Sequence, residues 1–182
     1  TVKTIAKRHG LHATFMPKPI QNVDGSGMHI NMSLEKDGKN IFFDKNDPEG
    51  LSSDCYHFVA GLMQHLALSH PDISFKFIKD GTETLHTPGD GKPDSAIYAA
   101  LGRDFARSLV AVEGRGDGVS VSGFVTKPLM GRGSRSMQTF FVNGRYIKSQ
   151  LLTAALEEGY RNQIMKGKFP GCVLSVTLPV TA

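Results

Sequence analysis

The segment RSMQTFFVNGR, residues 135–145, is the most informative part of this 182-residue sequence. The run from Met137 to Val142 is apolar and aromatic, which favours a strand, and Asn143-Gly144 favours a tight turn at its end. Apolar residues then recur at helical spacing and predict a long amphipathic helix: Leu151, Leu152, Ala155, Leu156, Tyr160 and Ile164. A further strand is predicted from Val173 to Leu178, so this region is expected to be of the α+β class.

The residues before this segment are predicted to form hairpins and short helices. Ile73, Phe75 and Phe77 alternate with polar residues, which predicts a strand that ends at the turn Lys79–Thr82. The other predicted elements are a helix over residues 94–102, strands Leu109–Val112 and Val119–Val125, and the turn Gly114–Gly118 between them.

The first part of the chain is predicted to hold a hairpin flanked by helices. The predicted elements are a helix from Val2 to Ala6, a strand over His12–Met16, a loop at Asp24–Gly27, a strand over Met28–Leu34, a turn at Lys36–Lys39 and a return strand over Asn40–Asp44. On one face of the strand Met28–Leu34 lie His29, Asn31 and Ser33. Imidazole, carboxamide and hydroxyl groups that converge in this way can hold one ligand, or they form an ordinary solvated strand face.

One long helix is predicted between about residues 52 and 70. Ser52 or Ser53 can cap it, and it ends before Pro71. Its apolar residues fall on one stripe: Cys55, Phe58, Val59, Leu62, Met63 and Leu66. We expect this stripe to be buried and the helix to be shared by the segments on its two sides.

Composition narrows the class of protein. Hydrophobic residues make up 40% and charged residues 21%, which is typical of a folded globular domain. The absence of long apolar runs predicts no membrane span, and two cysteines predict a reducing, cytoplasmic setting. Residues 1–67 carry seven basic and seven acidic side chains, whereas residues 68–182 carry fourteen and ten, which is the whole net charge of +4. A basic second part permits contact with nucleic acid.

Seven basic residues of the second part are spread over two predicted loops and the long helix: Arg132, Arg135, Arg145, Lys148, Arg161, Lys166 and Lys168. If they cluster in space they form a phosphate-contacting surface, and if they are dispersed they are solvated charge.

Residues 66–182 resemble the transducer domain of the MutL mismatch-repair family. The resemblance is carried by RSMQTFFVNGR and the helix after it, and by the approach Gly123-Phe124-Val125-Thr126-Lys127-Pro128. It implies a mixed α/β sandwich with a mostly antiparallel sheet, coupling to ATP in a preceding ATPase domain, dimerisation and DNA binding. Arg145, Lys148 and Arg161 are the implied DNA-binding residues. The ATPase loops and the later lysine motif of the family are not in this sequence, so ATP hydrolysis is not expected.

Residues 1–65 resemble bacterial type I glutamine synthetase. The motif is HGLHATFMPKP, residues 9–19, followed by Gly25-Ser26-Gly27-Met28-His29, although Asp24 stands where the family usually has Asn. The resemblance implies a vestigial site, in which His29 is a metal ligand and Gly25, Ser26, Gly27 and Ser33 lie at the substrate and nucleotide. Mg²⁺ or Mn²⁺ and ATP would be its ligands. The family's metal-binding glutamates are missing, and a single histidine cannot supply the ligands and charge of a catalytic cluster.

Together these features predict a chimera, natural or engineered. A hairpin and helix fragment, residues 1–65, is joined through a shared helix to a transducer-like domain, residues 66–182, that ends before its last strand. We expect no catalytic residues and no enzyme activity, no required cofactor, and at most weak, non-specific DNA binding. Two alternatives stay open: residual binding of metal or ATP by the front segment, and a purely structural chimera with no activity. Exposed sheet edges also predict a homo-oligomer, formed by strand pairing or by swapping.

Overall fold

The computed structural model describes residues 2–14, 21–22 and 32–179. Contacts divide the chain into two compact units, Thr1–Ser52 and Ser53–Ala182. None of the helices in the described residues is long and apolar enough to cross a membrane.

The first unit has little regular structure. Helix α1 (Val2–Arg8) comes first, and strands β1 (Glu35–Lys36) and β2 (Lys39–Asn40) form a ribbon of two residues a side. Its turn has positive φ at both Asp37 and Gly38, 53° and 73°, as a type I′ turn requires. Phe43 and Leu51 form an isolated antiparallel bridge. None of the described residues of this unit is buried.

Three strand predictions for this unit are wrong in the described residues. Residues 12–14 and 32–34 are not in strands, and the return strand is Lys39–Asn40 rather than Asn40–Asp44. The rest of the strands predicted at His12–Met16 and Met28–Leu34, and the loop Asp24–Gly27, lie outside the described residues. Alternation in the sequence makes a strand only where a neighbouring strand takes up its backbone hydrogen bonds.

The second unit begins with helix α2 (Ser53–Ser69) and a hairpin of β3 (Lys76–Lys79) and β4 (Thr82–His86). Helices α3 (Pro93–Leu101) and α4 (Arg103–Arg107) follow. The remaining elements are β5 (Leu109–Gly116), β6 (Val119–Thr126), β7 (Gln138–Val142), β8 (Arg145–Ile147), α5 (Gln150–Gly159) and β9 (Cys172–Thr177). Between β6 and β7 lie two 3₁₀ turns, Pro128–Met130 and Arg135–Met137.

Within the described residues, the last five strands form one sheet in the order β5-β6-β9-β7-β8. Strands β7 and β9 are parallel and the other neighbours are antiparallel, which confirms the predicted α+β fold with a mostly antiparallel sheet.

Adjacent residues of the central strands point to opposite faces of the sheet, and both faces are buried. Phe141 and Val173 pack in one cluster with Leu68, Ile97 and Phe105, which come from α2, α3 and α4. On the opposite face Phe140, Cys172 and Leu174 pack in a second cluster with Leu152 and Leu156 of α5. The sheet therefore lies between two helical layers.

Helix α2 is continuous, as predicted, but its apolar stripe is not buried along its length. Cys55 is buried, whereas Phe58, Leu62 and Leu66 are 42%, 46% and 38% exposed. Near its end, α2 also contacts the rest of the second unit through another face. Leu68 enters the core and Gln64 Nε2 donates to Ala100 O at 3.0 Å.

Helix α5 is shorter than predicted. It ends at Gly159, and Tyr160 leaves the helical path with its hydroxyl donating to the carbonyl of Thr126. This buried hydrogen bond outweighs the helical spacing that continues to Ile164. Helix α4 and strand β8 were not predicted from the sequence, since each has five residues or fewer and no periodic pattern.

Candidate nucleic-acid interface

A cleft of about 1030 Å³ opens in the second unit beside α2, β8 and the first turns of α5. Polar and charged side chains make up much of its wall: Gln64, His65, Arg135, Gln138, Lys148, Gln150, Thr153 and Glu157. Tyr146 and Phe140 provide apolar wall. A broad, polar cleft of this kind suits a large, charged ligand better than a small apolar one.

One wall of the cleft is an aromatic stack. The rings of His65 and Tyr146 lie 3.7 Å apart at an interplanar angle of 18°. Burial lowers the pKa of His65, and the positive charge of Lys148 lowers it further. His65 is therefore neutral at pH 7 and adds no positive charge to the cleft.

Lys148 and the beginning of α5 make another wall. Ser149 caps the helix, because its Oγ accepts a hydrogen bond from the amide of Leu152 at 3.3 Å. Among the described residues, no carboxylate forms a salt bridge with Lys148. An uncompensated ammonium group and the positive end of a helix dipole both favour a negatively charged ligand here.

Arg135 faces the cleft but its charge is already compensated. Its Nε and one terminal nitrogen donate to the carboxylate of Glu157 at 2.6 and 3.0 Å. The same guanidinium lies 4.0 Å from the centre of the Phe169 ring. These hydrogen bonds lower the pKa of Glu157 and raise that of Arg135. Arg135 therefore holds this side of the cleft in place, and Glu157 largely neutralises the positive charge that it could offer to a ligand.

The structure separates the three residues that the sequence analysis offered for DNA binding. Lys148 lines the cleft and Arg145 is exposed at the start of the edge strand β8. Strand geometry puts them roughly 10 Å apart along the chain. Arg161 follows the far end of α5, about 15 Å away by helix rise, and forms an ion pair with Glu158 at 2.6 Å. Within the described residues, Lys148 and Arg145 form no salt bridge, whereas Arg161 forms one.

The vestigial site predicted for the front segment falls mostly outside the described residues. This is true of Gly25, Ser26, Gly27 and His29, while Ser33 is exposed and in no regular element. In residues 2–14, 21–22 and 32–179, no group of three or more His, Cys, Asp and Glu side chains lies close enough to hold a metal ion.

Sequence reasoning missed two parts of the cleft. Nothing in the sequence singles out His65, which lies inside the predicted helix before Pro71, or Tyr146, which directly follows the segment 135–145. Both are brought together by the docking of α2 on the sheet, which no local pattern encodes. Arg135 was noted as one basic residue among seven, and its pairing with Glu157 spans 22 positions.

Two protein-family models match the chain. Residues 1–74 match the catalytic domain of glutamine synthetase, and residues 97–182 match the C-terminal domain of DNA mismatch repair proteins. Helix α2 thus lies in the first match, although it packs against the sheet that carries the second.

Individual relatives come from the same two families. MutL of Agathobacter rectalis is 42% identical over 120 residues, which are 66% of this chain and 18% of the relative. Glutamine synthetase of Clostridium saccharobutylicum is 55% identical over 87 residues, 45% of this chain and 20% of the relative. The chain thus spans about a fifth of either relative.

A solved structure, the N-terminal domain of a DNA repair protein, shares the fold. Its TM-score is 0.56 at 22% identity, over 70% of this chain and 44% of that one.

Proposed function

We propose that this chimera, which joins a segment similar to glutamine synthetase to one similar to MutL, binds DNA weakly and without sequence preference at the cleft beside Lys148. The uncompensated ammonium group of Lys148 at the positive end of α5 is the observation that carries the proposal. A phosphate at this position would meet a cation, a helix dipole and exposed polar side chains at once.

The neighbouring residues set the strength and the kind of binding. Arg145, which forms no salt bridge within the described residues, is a second cation on the edge strand, so one DNA backbone can contact both. Arg161 shares its charge with Glu158, so its contribution is expected to be smaller. With so few phosphate contacts, the dissociation constant should lie in the non-specific range of roughly 10⁻⁴–10⁻⁶ M. The stacked rings of His65 and Tyr146 form an aromatic wall that adds no positive charge.

We also propose that the chain is not an enzyme. Its similarity covers 20% of the glutamine synthetase relative and 18% of the MutL relative. A catalytic site of either kind collects residues from a much larger part of the protein. A phosphate-release assay with ATP, in the presence and absence of glutamate and ammonia, tests this. Release above the rate of a heat-denatured sample would overturn it.

Fluorescence anisotropy of a labelled duplex, titrated with the full chain at several salt concentrations, tests DNA binding. Binding should weaken steeply as salt rises, and Lys148→Ala should reduce the slope of log K against log salt by about 1. Lys39→Ala is the matched control, because it removes one exposed lysine from the first unit and leaves the cleft unchanged.

Two results would contradict the proposal. The first is no change of anisotropy at low salt. The second is an equal loss of affinity in Lys148→Ala and Lys39→Ala, which would mean that net charge acts without a defined surface. Arg161→Ala should give a smaller reduction than Lys148→Ala if the Glu158 ion pair persists in solution.

A further inference from the structure

Strand β5 is the long free edge of the sheet. It lies at the end of the strand order and pairs with β6 along all eight of its residues. Residues 110–116 are exposed, and Val110 and Val112 are 41% and 37% exposed. The other edge, β8, has three residues, and its Tyr146 is stacked on His65. Short edges with charged or covered residues resist pairing, whereas long apolar ones invite it.

Hydrogen bonds to β6 alternate along β5, and this alternation identifies the backbone groups of β5 that do not bond to β6. The amide of Lys127 donates to Ser108 O at 2.8 Å, and these residues continue the β5–β6 register in which Leu109 faces Thr126. In an antiparallel pair, bonded residues alternate with non-bonded ones. The even residues of β5 therefore bond to β6. The amides and carbonyls of Leu109, Ala111, Glu113 and Arg115 point away from the sheet.

We propose that two copies of this chain associate by antiparallel pairing of their β5 strands about a two-fold axis at Val112. Ala111 of each copy then lies opposite Glu113 of the other, and Leu109 opposite Arg115. These four positions carry the outward backbone groups, so the pairing satisfies all of them. The two sheets become one continuous sheet.

The position of the two-fold axis follows from the alternation of hydrogen bonds along β5 and from the charges that would face each other across the axis. Only odd residues carry outward groups, so an odd residue must face an odd one, which places the axis on a residue rather than between two. An axis at Glu113 would oppose two carboxylates, and one at Ala111 would oppose Arg107 to Arg115. An axis at Gly114 would pair only residues 112–116. The axis at Val112 pairs residues 109–115 and places no like charges directly opposite each other.

A second copy fits this edge better than an unrelated strand does, because the edge is self-complementary. Val112 meets Val112 across the axis as a close, non-bonded pair, and Val110 meets Gly114. Glu113 and Arg115 form an ion pair with each other at 3.3 Å, so the edge is neutral and does not repel its copy. The face of β5 that carries Ala111 and Glu113 also borders an apolar groove of about 510 Å³, walled by Phe124, Phe141 and Val173. The second strand would extend this surface.

Sedimentation velocity on the full chain at roughly 1–100 μM tests the proposal, because dimerisation depends on protein concentration. The unsubstituted chain should shift from monomer to dimer as its concentration rises. Val112→Lys should weaken the dimer about tenfold or more, since it places two ammonium groups against each other at the axis. Val110→Lys is the matched control: it also replaces an exposed valine of β5 by lysine, but its lysine faces Gly114. It should weaken the dimer much less.

A mixture of Val112→Lys and Val112→Glu should restore the dimer as a heterodimer, because opposite charges then meet at the axis. Circular dichroism of each variant separates loss of pairing from loss of folding. If the unsubstituted chain stays monomeric throughout, or if the mixture does not recover the dimer from folded variants, the proposal is wrong. An equal effect of the Val110→Lys and Val112→Lys changes would overturn the register. None of these outcomes depends on DNA binding.

Discussion

The two units of this chain differ in how their apolar residues are used. The second unit buries phenylalanines on both faces of one sheet, Phe140 against α5 and Phe141 against α3 and α4. In the first unit Phe43 is 62% exposed and none of the described residues is buried. Yet the first unit lies within a stretch that matches a family model. Sequence similarity records ancestry, whereas a fold needs the partners that cover its apolar residues.

Cutting the chain between the units should have the largest effect on this contrast. Residues 53–182 alone are expected to unfold cooperatively, because both apolar clusters lie within them. Residues 1–52 alone should show no cooperative transition in urea, monitored by circular dichroism. A sharp transition in the shorter piece would remove the contrast.

A pair of phenylalanine substitutions measures the same difference within the intact chain. Phe141→Ala should lower the free energy of unfolding by roughly 3–5 kcal/mol, because it leaves a cavity between the sheet and its helices. Phe43→Ala, at an exposed position, should change it by less than about 0.5 kcal/mol. Urea denaturation of both variants provides the values. Similar losses would mean that Phe43 is buried in solution.

Helix α2 provides a third test, since it matches one family and packs on a sheet that matches the other. Leu68→Ala should cost about 3 kcal/mol, because Leu68 is 7% exposed in the core. Leu62→Ala changes the same residue type on the same helix, where it is 46% exposed, and should cost less than about 1 kcal/mol. If the order is reversed, the apolar stripe rather than the helix end carries the docking.

The effect of pH on the free energy of unfolding should be smaller than the effects of these core substitutions. The pKa of His65 is lowered in the folded protein, whereas in the unfolded chain it is near 6.5. Its contribution is therefore complete above pH 6.5 and is lost as the pH falls through the folded-state pKa. His65→Phe keeps a ring against Tyr146 and removes this proton uptake. The difference in stability between pH 7 and pH 5 should be smaller in the variant, measured by urea denaturation at both values.

Metal and nucleotide binding by the first unit should give the smallest signal. Calorimetric titration with Mn²⁺ and ATP is expected to give little heat, because one predicted ligand, His29, cannot hold a divalent cation tightly. Any heat that is seen should disappear in His29→Ala. Heat that persists in that variant would place the binding elsewhere in the chain.

Local patterns predicted much of the fold. Asn143-Gly144 was expected to be a turn, and both residues have positive φ, 48° and 77°. The end of α2 before Pro71 and the start of α3 at Pro93 also follow from prolines close to them in sequence. The exact end of α5 did not follow, because the Tyr160 hydroxyl bonds to a carbonyl 34 residues earlier. The candidate site was less predictable for the same reason. Lys148 was identified through a family resemblance, but the wall of His65 and Tyr146 depends on where α2 docks.

The docking of α2 has a consequence for how proteins of this kind can arise. Near its end, Gln64 bonds to α3, His65 stacks on Tyr146 of β8, and Leu68 enters the core. These three contacts span little more than one turn, so a helix from another protein that carries the right residues in that turn can make them. Recombination inside a helix can then preserve the core, and the segment that precedes the helix is inherited with it without contributing to that core.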